Sequence, residues 1–412
     1  MKYGCIGEKL GHSFSKEIHN LIASYQYELK EIEKDKLSDF MTEADFNAIN
    51  VTIPYKEAVI PYLDTIDEHA KKIGAVNTIV KRDGKLHGYN TDFLGMVALI
   101  NKLGLEVNGK KTAILGSGGT AKTAKAVLAH LGAKQILTVS RTASDKAIDY
   151  NELYAMHADT EIIINTTPVG MYPQNTDCPI ILEHFTGLIG VVDAIYNPIK
   201  TNLILNAEKI GIKALGGLYM LIMQAIYASE FFTDSQIDER VAESVYQKML
   251  CDKTNIVLTG MPSCGKSTIG KELARNLNKE FIDTDALIEE RTGKSIPDIF
   301  RDNGEETFRQ IESDIILDVS KRNGLIIATG GGAILNSDNV HALKQNGKIY
   351  FIDRALELLF PTSTRPLATD RKALTALYNT RHGIYEKTAD IIVNSNESIQ
   401  ATTDKIKKDF YK

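Results

Sequence analysis

The stretch Ile256 to Thr268, IVLTGMPSCGKST, holds the residues whose types and spacing most directly imply chemistry. Four apolar or β-branched residues predict a short strand. Gly260 then opens G-x-x-x-x-G-K-S, and Ser263, Cys264, Gly265, Lys266, Ser267 and Thr268 lead into a helical run from Ile269 to Leu277. Glycines at both ends allow backbone geometry closed to other residues. Successive N–H groups can then face phosphate oxygens, and the helix adds its positive end. In such a loop Lys266 reaches the β and γ phosphates and Ser267 ligates Mg²⁺, so ATP is the expected ligand. About 255 residues precede it, which implies a second machine upstream.

That machine has its own glycine turn. Lys111 to Leu115 reads as a strand, Gly116-Ser-Gly118-Gly119-Thr120-Ala121 as the turn, Lys122 to Leu131 as a helix closed by Gly132, and Gln135 to Val139 as a second strand. This βαβ unit with G-x-G-x-x-A points to a dinucleotide. The second strand runs out into Ser140-Arg141-Thr142, where an NAD site would place an acid for the ribose hydroxyls. A guanidinium suits a 2′-phosphate, so NADP(H) is the expected coenzyme, with Arg141 and Thr142 at its adenosine end.

The elements that must position these groups follow from periodicity and turn signals. Residues 1–95 read as mixed α/β, with a strand near Lys2 to Ile6, a helix to about Tyr25, a strand over Asn50 to Lys56, and a hairpin from Ile73–Val80 through an Asp83–Gly84 turn to Leu86–Asn90. Further strands are predicted at Glu161–Asn165 and Leu188–Asp193, and apolar and amphipathic helices at Gly217–Phe232 and Ser235–Leu250. The expected fold class is α/β: a substrate-binding domain from 1–95 plus 217–250, a Rossmann domain at 96–216, a linker at 251–254, and a P-loop domain with a parallel sheet at 255–412.

Composition sets the outer bounds. The 412 residues are 43% hydrophobic and 25% charged, ordinary values for a globular protein of two or three domains. A net charge of −5 and a pI near 6.0 leave no footprint for nucleic acid or an anionic membrane. Four scattered cysteines indicate neither a disulfide framework nor structural zinc. The N-terminus builds no apolar signal core. A cytoplasmic monomer or homodimer acting on small molecules is expected.

The blocks GHSFSKEIHN, NVTIPYK, GAVNTIV, GYNTD, LGSGGTAKTA, SRT, NTTPVGM, DAIYNP and GGLYMLIMQA occur in order between residues 4 and 226, and together they resemble shikimate dehydrogenase. The resemblance implies NADPH-dependent reduction of 3-dehydroshikimate to shikimate. It also implies Lys56 as proton donor with Asp92 ordering it, Ser13 and Ser15 at the substrate carboxylate, and Thr52, Asn77, Tyr196 and Gln224 at the ring hydroxyls. A cationic acid beside a carboxylate is what hydride delivery to a ketone requires, because it leaves an alkoxide. Lys9 and Lys16 stand where that family usually carries prolines.

Residues 254–412 resemble shikimate kinase. Beyond the phosphate loop they carry FIDTD at 281–285, GEETFRQIE at 304–312, ATGGG at 328–332, STRPL at 363–367 and RHGIYEKTADIIV at 381–393. The resemblance implies Asp283 with Ser267 at Mg²⁺, and Asp285 at the reacting hydroxyl. It places Arg309 and Arg381 on the substrate carboxylate, Gly331 and Gly332 against the ring, and Arg365 at the transferring phosphate. Two consecutive activities on one chain are therefore expected. The rival readings are a broader quinate/shikimate-type dehydrogenase using NAD, and a half reduced to sensing nucleotide or shikimate without turnover.

Overall fold

The computed structural model describes residues 1–10, 14–361 and 367–411. It divides into two compact units, Met1–Asn197 with Asn206–Met249, and Pro198–Leu205 with Leu250–Lys412. Pro198–Leu205, expected within the Rossmann region, therefore belongs to the second unit. There the Ile199 N–H donates to Asn346 Oδ1 and the Lys200 N–H to the Gln345 carbonyl, both at 2.9 Å.

The first unit holds two sheets. One has six strands in the order Tyr27–Glu31, Tyr3–Gly7, Ala48–Val51, Thr78–Arg82, Lys85–Tyr89 and Thr65–Ile66. The strand expected to run to Lys56 ends at Val51. Pro54 has no N–H to give a ladder, so residues 53–59 turn instead and lift Lys56 off the sheet edge. The hairpin is present but starts at Thr78, since Glu68–Ile73 forms a helix capped by the Asp67 carboxylate. Its turn residues, Asp83 and Gly84, both take positive φ, at 50° and 76°, as a type I′ turn needs.

The other sheet is parallel, in the order Lys213–Leu215, Gly190–Asp193, Ile162–Asn165, Lys111–Leu115, Gln135–Val139. Two of its inner strands, Ile162–Asn165 and Gly190–Asp193, are buried throughout and apolar up to their last residue, as strands inside a parallel sheet are. Between the sheets, the helices Thr91–Lys102 and Leu218–Thr233 make an unusually close pair. A Cβ on Gly95 would stand 2.7 Å from the Met220 carbonyl, so only glycine lets the two backbones approach this far.

The second unit is built on a five-stranded parallel sheet ordered Glu280–Asp283, Leu325–Ala328, Asn255–Thr259, Gly347–Asp353, Ile391–Asn394. The first strand in sequence lies at the centre with crossovers to either side, so a crevice opens at the carboxyl ends of the strands. The helical run Ile296–Ser320 breaks at Gly304 (φ 82°, ψ 169°), which frees its second half to set its own direction. The expected 251–254 linker is largely helical: Glu239–Lys253 runs as one helix, leaving only Thr254 before the next strand. Among the described residues no helix is long and apolar enough to cross a membrane.

One buried group makes the first unit acid-sensitive. His19 is 1% exposed, stacked on Tyr27 at 3.8 Å, with Nδ1 2.7 Å from the Tyr25 hydroxyl. Burial pushes its pKa down to about 3. An unfolded chain, with histidine near 6.5, binds that proton first. The contribution is complete above pH 6.5 and is lost as pH falls from 6.5 toward 3, by up to about 1.4 kcal/mol per pH unit. Urea midpoints of the first unit should therefore fall more steeply between pH 6.5 and 5 in the parent than in His19→Gln; parallel slopes would refute this.

Candidate active sites

In the first unit a cavity of about 590 Å³ gathers residues from both layers and the helix pair. Lys56 on the turn and Asp92 in the first turn of Thr91–Lys102 meet at 2.6 Å from Nζ to Oδ2. The Asp92 side chain is 12% exposed and that of Lys56 28%, so the pair is shielded while the ammonium still faces the cavity. Asn90 caps this helix through the Phe93 N–H at 3.1 Å, which fixes where Asp92 stands.

Asn77 is held with equal care. Its Oδ1 accepts from the Thr91 N–H at 2.7 Å, and its Nδ2 donates to Thr91 Oγ1 at 3.1 Å and to Gln224 Oε1 at 3.5 Å. Gln224 comes from Leu218–Thr233, the partner across the Gly95 contact. Ser15, Thr52 and Tyr196 complete the expected set on the cavity wall; burial raises the Tyr196 pKa above its ordinary value, which keeps it a neutral hydroxyl. Ser13 lies outside the described residues. Asn50 was not singled out from sequence, although it sits in the NVTIPYK block. It lines the cavity, donates to Thr78 Oγ1 at 3.1 Å and accepts from the Tyr27 hydroxyl at 2.7 Å, so it locks the strand end that carries Thr52.

The glycine turn opens beside this cavity, which Thr120 also lines. The helix Gly119–His130 has Gly118 as its N-cap and no side-chain cap, so its first N–H groups have no partner from a capping side chain. A Cβ on Gly118 or Gly119 would meet nothing within 4 Å. That is the space and donor set a pyrophosphate needs. Gly116 takes φ 108° directly behind, against Thr166, and Ala121 is buried where the helix meets the sheet. Arg141 and Thr142 are exposed just past Val139, free to face a 2′-phosphate. These residues fit NADP(H).

In the second unit a cavity of about 600 Å³ lies over the strand ends. Lys266 is 7% exposed, and its Nζ donates to the carbonyls of Gly260 at 2.9 Å and Met261 at 3.1 Å, folding the loop around its own ammonium. Ser263 holds φ 65°, a left-handed conformation uncommon for serine, and its hydroxyl donates to the Phe360 carbonyl at 2.7 Å. Cys264 is fully buried behind the loop, and Thr268 lines the cavity with Ser267. Ser267 Oγ donates to Asp283 Oδ2 at 2.6 Å. Two hard oxygens so placed are the protein's usual share of a Mg²⁺ shell, with phosphates and water filling the rest. Asp283 also caps the next helix through the Asp285 N–H at 3.1 Å, which turns Asp285 to the cavity.

The other wall is cationic. Arg309 Nη1 meets Glu312 Oε2 at 2.7 Å, and its Nη2 meets Glu305 at 3.0 Å. Burial pulls the Arg309 pKa down, but the two glutamates outweigh it and leave it above ordinary. Burial raises Glu312, which Arg309 opposes. Arg381, 7% exposed, donates to the Gly331 carbonyl at 3.0 Å; burial lowers its pKa, as does the Arg309 charge. A Cβ on Gly332 would run into the Arg309 guanidinium, so glycine is what lets that arginine lie across the floor. Glu312, which closes the GEETFRQIE block, is 1% exposed and holds Arg309 from behind, an intrahelical pair that the spacing of the two residues allows. Arg365 lies outside the described residues.

Comparison with known proteins points the same way for both units. Residues 5–79 match the family model described as shikimate dehydrogenase substrate binding domain, and residues 262–410 the one described as shikimate kinase. A shikimate dehydrogenase (NADP(+)) from Clostridium beijerinckii is 38% identical over 261 residues, 59% of this chain and 96% of the relative. A chorismate mutase/shikimate 5-dehydrogenase fusion protein from Clostridium acetobutylicum superposes with a TM-score of 0.57 at 38% identity, over 60% of this chain and 96% of that one. The shikimate 5-dehydrogenase of Thermus thermophilus, solved in complex with NADP(H) and shikimate, gives 0.55 at 25% identity, over 60% and 99%.

Proposed function

The chain belongs to the shikimate dehydrogenase family and carries a shikimate kinase domain behind it, and from that premise we propose which residues perform the two reactions. It is a bifunctional shikimate-pathway enzyme: NADPH-dependent reduction of 3-dehydroshikimate to shikimate, then ATP-dependent phosphorylation of shikimate to shikimate 3-phosphate. NADPH supplies the hydride, and ATP with Mg²⁺ supplies the phosphoryl group.

In the reduction, the ketone oxygen gains negative charge as the hydride arrives, and Lys56 gives it a proton. Asp92 holds the ammonium in place through the 2.6 Å contact. Thr52, Asn77, Gln224 and Tyr196 grip the ring hydroxyls, with Ser13 and Ser15 at the carboxylate. Gly116, Gly118, Gly119, Thr120 and Ala121 shape the pyrophosphate turn, and Arg141 with Thr142 receives the 2′-phosphate. In the phosphorylation, Arg309 and Arg381 fork the carboxylate, for which guanidinium is geometrically suited. Gly331 and Gly332 let the ring lie on the backbone, and Asp285 orients the attacking hydroxyl and takes its proton. Lys266 and the loop N–H groups balance charge on the phosphates, Ser267 and Asp283 hold Mg²⁺, and Arg365 joins at the transferring group.

The observation that carries this reading is the Lys56–Asp92 pair at 2.6 Å, in the same cavity as the Asn77–Gln224 grip and beside the coenzyme turn. The test supplies 3-dehydroshikimate, NADPH, ATP and Mg²⁺ to the purified chain and follows NADPH and ADP together. Both signals should appear, with NADPH preferred to NADH. Neither signal, or a preference for NADH, refutes it. The small-molecule partners suffice for both activities, and a monomer or homodimer in the cytoplasm is the organisation we infer.

A further inference from the structure

A third cavity, of about 610 Å³, lies in the first unit and shares no lining residue with the cavity of Lys56 and Asp92. It is walled by one face of Gly119–His130 and by the helix Glu68–Ile73, with Phe93 at its floor. Lys72, Lys122 and Lys125 line it together with His69 and His130, and no carboxylate does. In a chain with 53 acids against 48 lysines and arginines, that exclusion is informative. Lys122 is bound to Glu57 at 2.7 Å, but Lys72 and Lys125 have no ion-pair partner among the described residues. The ring of His69 lies parallel to Phe93 at 4.2 Å, and His130 stands edge-on to both at 5.7 and 5.4 Å.

Lys72 and Lys125 share this lining with Lys122 and have no counter-charge of their own among the described residues, and like charges gathered on one surface repel each other. The arrangement is therefore set to gain from an anion. Ammonium groups act as point charges that suit phosphate oxygens. We propose that this cavity binds a small phosphate-bearing anion. The first candidate, which rests on the kinase reading above, is shikimate 3-phosphate, a cyclic body carrying both a phosphate and a carboxylate. Because Glu57 follows Lys56 in the chain and pairs with Lys122, an anion here would compete for a cation tied to the segment that carries the reducing lysine.

The test titrates shikimate 3-phosphate by calorimetry into the full chain saturated with NADP⁺, and into the Lys72→Gln/Lys125→Gln variant. The parent should bind at one more site per chain than the variant, or at that site at least tenfold more tightly. Both catalytic rates of the variant should stay within twofold, which shows that it is folded. Inorganic phosphate is the second probe: the same difference between parent and variant attributes the cavity to phosphate itself, and a difference seen only with shikimate 3-phosphate attributes it to the whole molecule. Identical isotherms of parent and variant with both probes overturn the proposal. Failure of the kinase reading is recognised separately, by absence of ADP release in the parent, and the inorganic phosphate arm still decides the cavity in that case.

Discussion

Lys56→Ala should lower kcat/KM for ketone reduction by about 10²–10⁴, the usual contribution of a positioned acid, while phosphorylation of added shikimate stays within twofold. The reason is geometric. Nζ is held 2.6 Å from Asp92, and the cavity wall offers no second ammonium except that of Lys9 on the far segment. Removing Lys56 therefore leaves the alkoxide to be quenched by water. Asp92 retains 12% exposure and a helix N-terminus beneath it, so its carboxylate tolerates the loss of its partner without unfolding the helix. The kinase reaction is an internal control for folding. Stopped-assay measurement of both products settles the point, and a parallel fall of both rates would mean that the change had damaged the fold instead of the chemistry.

Lys266→Ala should do the converse, lowering phosphoryl transfer by about 10²–10³ and leaving NADPH oxidation within twofold. Here the side chain has two tasks. Its ammonium faces the phosphates, and in the structure it is already parked on the Gly260 and Met261 carbonyls. Alanine removes both the charge and the loop's internal tie. Lys266→Met keeps the aliphatic stem in its buried slot and removes only the charge, so an equal loss in both variants assigns the effect to electrostatics. Shikimate affinity should hold in either variant, because Arg309 and Arg381 approach from a different wall. Equilibrium titration with shikimate checks this, and a loss of shikimate binding would show that the loop shapes the whole cavity.

Much of this was legible in the order of residues alone. The phosphate loop and the coenzyme turn are short, local patterns whose chemistry is tied to spacing, and each appears where its strand and helix put it, whereas the Lys56–Asp92 pair, 36 residues apart, was legible only through the family resemblance. What sequence did not reveal are relations across long separations. Asn50 looks like a strand-end residue until Tyr27 and Thr78 converge on it. Boundaries also slipped where one breaker outweighed periodicity, as Pro54 did in shortening the strand before Lys56, and where a helix ran on through polar residues to Lys253.

The contact at Gly95 bears on the order in which the protein matures. Asp92 and Gln224 become neighbours only when two helices more than a hundred residues apart have come together, whereas the strands from Lys111 to Leu215 pair among themselves. During translation the coenzyme layer can consolidate while the ring-binding pocket is still missing its last wall. The ribosome must pass residue 233 before the reductase becomes competent, and the P-loop layer has yet to be made at that moment. The wall that completes the ring-binding pocket is thus available before synthesis of the P-loop layer begins, and the N-terminal unit can fold ahead of it.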